Sequence, residues 1–115
     1  MKKNKQKISA NYLEKIPIRN PDIKWSAENE IVTLEIENKG WANKIAQKFF
    51  KRPKISFIHL DEFGSFVWQI IDGEQNITDL GPKVQERFGE KAEPLYPRLA
   101  KYFQILQSYG FIYFK

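Results

Sequence analysis

Leu60-Asp61-Glu62-Phe63-Gly64-Ser65-Phe66-Val67-Trp68-Gln69-Ile70-Ile71-Asp72-Gly73 is the stretch in which the chain changes period. Just before it, Ile55-Ser56-Phe57-Ile58-His59-Leu60 reads as a strand with apolar residues on both faces. From Asp61 onward Phe63, Phe66, Val67, Ile70 and Ile71 fall on one helical stripe. Asp61 suits the N-cap, because its carboxylate can accept the helix's first free amides. Asp72-Gly73 stops the helix, with glycine free to turn left-handed.

Upstream, Ile23-Lys24-Trp25-Ser26 alternates, Ala27-Glu28-Asn29-Glu30 is a polar turn, and Ile31 to Glu37 alternates again. Val32, Leu34 and Ile36 share a face, so the two runs predict a hairpin buried on one side. Asn38-Lys39-Gly40 breaks the second strand. Trp41, Ile45 and Phe49 follow at four-residue spacing and predict a short inserted helix, closed by Lys51-Arg52-Pro53-Lys54.

Downstream, Leu80, Val84 and Phe88 mark a further helix ending at Gly89. Its start is either capped by Thr78 or set at Gly81, which puts Pro82 in the first turn. The last helix runs from about Glu93-Pro94 to Tyr109 and stops at Gly110. Its apolar residues, from Leu95 through Leu99, Phe103 and Leu106 to Tyr109, cover more than one core stripe. Such a helix is deeply buried or lines a cleft. Leu99 and Leu106 are expected in the core. Phe111-Ile112-Tyr113-Phe114 suits a short final strand.

The 115 residues suit one domain: 1–20 as a flexible basic segment, and 21–115 as the folded part with a helical insertion at about 41–54. The fold class is α+β, a three-stranded antiparallel sheet followed by three helices, an order that also suits a winged helix-turn-helix. Hydrophobic residues make up 42%, enough for a core. With no cysteine, the chain has no disulfide, thiolate metal site or cysteine nucleophile, which fits a cytoplasmic location. Lysines open the chain without a following apolar run, so neither a secretory signal nor a membrane span is expected.

Catalysis finds little support. His59 is the one histidine and lies in a strand; no metal or cofactor is expected. Glu35 and Glu37 read as solvated strand charges, and no phosphate-cradling glycine loop occurs. Lys48-Phe49-Phe50-Lys51-Arg52-Pro53-Lys54 interleaves basic and aromatic residues, but is better read as a solvated rim. The net charge of +5 admits an acidic partner. A winged-helix DNA binder is the runner-up, with Arg98 and Lys101 on the last helix. That helix is otherwise too apolar to read bases, so nucleic acid is not the expected partner.

The stretch from Leu60 to Gly73 resembles the central signature of PqqD-like proteins. Ile77-Thr78-Asp79-Leu80, Phe88-Gly89 and the closing Leu106 to Ile112 follow the same pattern, so the resemblance covers roughly residues 22 to 113. It implies a precursor-peptide recognition element of ribosomal natural-product biosynthesis. Such a domain takes the leader of a precursor peptide as an added strand between its third strand and last helix. It then delivers that peptide to a modifying enzyme, often a radical SAM protein. Carried onto this chain, the resemblance makes Ile55, Ser56, Phe57, Ile58 and His59 the strand side of the cleft. Arg98, Tyr102, Ile105 and Tyr109 become the helix side. The chain departs from the compact family pattern in its insertion from Trp41 to Lys54, which would either cover the strand edge or dock a partner.

Overall fold

The computed structural model describes residues 10–37 and 55–115. The helix expected from Trp41 to Phe49 and the rest of the 41–54 insertion lie outside the described residues. In chain order come α1 (Ala10–Leu13), β1 (Pro17–Arg19), β2 (Lys24–Glu28), β3 (Ile31–Glu37) and β4 (Ile55–His59). They are followed by α2 (Glu62–Ile70), α3 (Ile77–Phe88), a 3-10 turn (Gly89–Ala92), α4 (Leu95–Ser108) and β5 (Ile112–Phe114).

β2, β3 and β4 form an antiparallel sheet in that order, and β1 pairs with β5 in a separate antiparallel ribbon. The hairpin forms because Val32 and Leu34 can both be buried on one face; each is fully enclosed. Its turn is tighter than the polar run from Ala27 to Glu30 suggests. Glu28 still pairs with Ile31, so Asn29 (φ 53°) and Glu30 (φ 67°) alone reverse the chain. Two-residue hairpin turns with positive φ at both positions follow the twist of the strands. The helices cover one face of the sheet. Val67, Trp68 and Ile71 meet Leu80, Val84, Leu99, Phe103 and Leu106 in a single core. Leu99 and Leu106 are buried, as the spacing predicts.

Residues 10–20 carry more structure than a flexible segment. Pro17 pairs with Phe114 and is buried, the Lys115 amide donates to the Ile16 carbonyl, and the Tyr12 ring meets Phe114 edge-on at 5.5 Å. A three-residue strand shows no periodicity of its own, and its partner lies at the other end of the chain.

The start of α3 also differs from both sequence alternatives. Asn76 is the N-cap, in a reciprocal capping box with Asp79. Pro82 therefore sits inside the helix and cannot donate to the Thr78 carbonyl one turn back. The Tyr96 hydroxyl donates to that carbonyl instead, at 3.2 Å. It reaches through the space left by Gly81, where a Cβ would overlap the Tyr96 ring and hydroxyl. Replacing glycine with alanine inside a helix ordinarily stabilises by about 0.5–1 kcal/mol. Gly81→Ala is expected to destabilise instead. A thermal melt showing Gly81→Ala at or above wild type would contradict this packing.

Candidate functional site

β4 is the site's foundation because, among the described residues, it is held on one side only. The Leu60 amide donates to the Val32 carbonyl at 2.9 Å, and Ile58 and Ser56 lie opposite Leu34 and Ile36. Amides alternate between the two edges of a strand. Ser56, Ile58 and Leu60 therefore face β3, while Phe57 and His59 direct their backbone groups away from it. Among the described residues no strand lies beyond that edge.

Side chains alternate likewise between the faces. Ile58 and Leu60 pack on the core, whereas Phe57 lies on the uncovered face and is 60% exposed. Ile55 is exposed beside it. His59 meets Thr33 across the strand pair, Nδ1 to Oγ1, at 2.8 Å.

The end of β4 is fixed by Ser65, a buried polar residue in α2. Its hydroxyl accepts from the Val32 amide at 2.8 Å and donates to the Leu60 carbonyl at 3.1 Å. Those two backbone groups would otherwise be the last reciprocal half-rung of the β3–β4 ladder. The hydroxyl thus opens the strand pair by one side chain and joins its end to the first turn of α2. Asp61 caps that helix, accepting from the Gly64 amide at 2.7 Å, as the sequence indicates.

α4 is tied to the first turn of α2 near one end and borders the end of β3 near the other. At the Leu60 end the Tyr102 hydroxyl donates to the Gly64 carbonyl at 2.8 Å. A Cβ on Gly64 would stand 3.1 Å from the Tyr102 ring, so glycine permits this approach. The ring packs edge-on against Phe63 and Phe103. Burial, with the Asp61 charge adding, pushes the phenol far above its ordinary pKa. At the other end Tyr109 stacks on Phe111 at 5.5 Å and borders, with Ile36 and Glu35, a hollow of about 470 Å³. Ile105 lies between these anchors on the helix and is 43% exposed; Tyr109 is 68% exposed.

The nine residues implied by the family resemblance therefore occupy different settings. Phe57 and His59 hold the outward edge, and Ser56 and Ile58 the inward one. Ile105 and Tyr109 present apolar surface to solvent. Tyr102 is committed to joining α4 to α2. Arg98 lies 4.0 Å over the Phe63 ring and donates to the Lys91 carbonyl at 2.6 Å. It borders a second hollow, of about 390 Å³, with Asp61, Lys101 and Tyr102. Gly64 and Ser65 were missed as supporting residues. Their signal is the pair of small residues in the first turn of an otherwise bulky helix. Among the described residues no group of three or more His, Asp or Glu side chains could hold a metal ion.

The chain belongs to the PqqD family: the model of that family, described as coenzyme PQQ synthesis protein D, matches residues 30–112. The match runs from the hairpin turn to the first residue of β5, and so includes β4, α2 and α4. Proteins of this family are accessory proteins without catalytic activity that bind a precursor peptide and partner a biosynthetic enzyme. No curated protein and no solved structure matches the chain.

Ser65→Ala leaves two buried backbone groups without their partner, a loss of about 2–3 kcal/mol in stability by denaturant melt. A change within about 0.5 kcal/mol, as for a surface substitution, would show that the bridge is dispensable.

Proposed function

We propose that this protein is a non-catalytic peptide adaptor. It takes the leader of a precursor peptide as a fourth strand on the Phe57 and His59 side of β4 and presents it to a modifying enzyme in the cytoplasm. What supports this reading is a strand edge that no described strand covers, together with a last helix that leaves Ile105 and Tyr109 exposed. Backbone groups of Phe57 and His59 supply the ladder, which holds any extended chain. Ile105 and Tyr109 supply the surface against which alternate leader side chains pack, and so the selectivity. In this reading the modifying enzyme is a radical SAM protein.

The winged-helix alternative asks α4 to read DNA. The helix presents Ile105 and Tyr109 to solvent, and Arg98 is already engaged by the Phe63 ring and the Lys91 carbonyl. Base readout depends on free polar and basic side chains, so the peptide reading is the stronger one.

The test is a proline scan of β4, read by thermal melt and by titration with the leader of a short precursor encoded beside the gene. Ile58→Pro removes a donor to β3 and unfolds or strongly destabilises the protein. Phe57→Pro and His59→Pro leave that ladder intact, so both stay folded. Each removes one donor to the leader, and weakens binding by roughly tenfold, or about 1.4 kcal/mol. Folded Phe57→Pro and His59→Pro variants that bind normally would place recognition elsewhere.

A further inference from the structure

Among the described residues the sheet has a second open edge. β2 is its other outer strand, and all five of its residues are exposed, including Ala27, whose neighbour Val32 is fully buried. β2 thus projects past the helix layer. Its hydrogen-bonding parity follows from β3. The even residues of β3 face β4, so Ile31, Thr33 and Glu35 face β2 and engage Glu28, Ser26 and Lys24. Trp25 and Ala27 are left with their backbone groups directed outward.

The strand Lys24-Trp25-Ser26-Ala27-Glu28 is complementary to itself when reversed. A two-fold axis at Ser26 sets Trp25 opposite the partner subunit's Ala27, and Ala27 opposite the partner subunit's Trp25. These are the residues with outward backbone groups, so they exchange hydrogen bonds. The same axis sets Lys24 opposite the partner subunit's Glu28, twice over. Those positions are the non-hydrogen-bonded pairs, in which side chains approach most closely. Trp25 is held ready for this contact. It meets Trp68 edge-on at 6.2 Å, carries the Arg19 guanidinium 4.9 Å over its ring, and remains 37% exposed.

We infer that two copies of this chain associate through antiparallel β2–β2 pairing in this register. The result is a continuous six-stranded sheet with β4 at each outer end. A closed two-fold contact of this kind removes both exposed β2 edges and adds no new one. The two β4 edges stay open, so one assembly can carry two leaders. This inference does not depend on the peptide reading, because it uses the opposite edge of the sheet.

Charge exchange tests the register directly, by sedimentation equilibrium of the full chain from roughly 10 μM to 1 mM. That range is chosen because pairing of short edge strands falls below the roughly 1,000 Å² of a stable interface. Wild type is expected to rise from 13.6 kDa towards twice that mass. Lys24→Glu and Glu28→Lys should each stay monomeric, since each places like charges opposite one another at both pairs. An equimolar mixture of the two variants should form a heterodimer, and the Lys24→Glu/Glu28→Lys double variant should dimerise like wild type. Thermal melts confirm that the variants are folded; if those carrying Lys24→Glu are not, because Glu35 is its cross-strand neighbour, Glu28→Lys alone, whose cross-strand neighbour is Ile31, still decides the question by staying monomeric or not. A monomeric wild type at 1 mM overturns the inference. So does a dimer indifferent to these charges, which would be pairing through β4 or another surface.

Discussion

The Ser65 hydroxyl sits where the β3–β4 ladder runs out of reciprocal backbone partners, and the geometry of the site depends on it. It answers the Val32 amide and the Leu60 carbonyl together, so one buried side chain sets the end of the edge strand against the first turn of α2. The next residue back, Gly64, is equally constrained. Its missing Cβ lets Tyr102 bring α4 against the same turn, and its carbonyl receives the Tyr102 hydroxyl. Strand, capped helix and last helix therefore converge on Asp61 to Ser65. The separation between the β4 edge and the exposed face of α4 is fixed there. If the edge takes a further strand as proposed, this rigidity helps, because each mobile residue would add an ordering cost to binding.

Much of this was legible in the sequence because it is local. The alternation from Ile31 to Glu37, the Asp61 cap and the stop after Ile71 each depend on neighbours a few residues away. The division of α4 was also legible. A stripe too wide for one core places Leu99 and Leu106 inward and leaves Ile105 and Tyr109 outward. What escaped depends on contacts between distant segments. The β1–β5 ribbon joins opposite ends of the chain through strands of three residues each. The interior Pro82 is tolerated because Tyr96, from another helix, supplies the missing donor through the gap at Gly81. The family resemblance put Tyr102 on the cleft wall; its hydroxyl and ring also join α4 to α2. The parity of β4 likewise waits on its register with β3, which no single strand encodes.

Family membership and geometry constrain the function in different ways. The match over residues 30–112 assigns the chain to proteins that handle a precursor peptide. The structure contributes the physical terms on which such a peptide could be held: outward amides at Phe57 and His59, and apolar surface at Ile105 and Tyr109. In the proposed mode main-chain pairing is indifferent to sequence, so discrimination among leaders would fall to the helix side. The hollow beside Arg98 and Lys101 extends that side beyond the end of the strand.

The most direct measurement is amide hydrogen exchange, resolved by residue, with and without saturating leader peptide. Strand addition at β4 predicts that Phe57 and His59 slow by at least roughly tenfold on binding, since their amides, which face no strand among the described residues, would gain partners. Ile58 and Leu60, already bonded to β3, should change far less. Equal slowing along the whole strand, or protection that leaves Phe57 and His59 unchanged, would contradict the account.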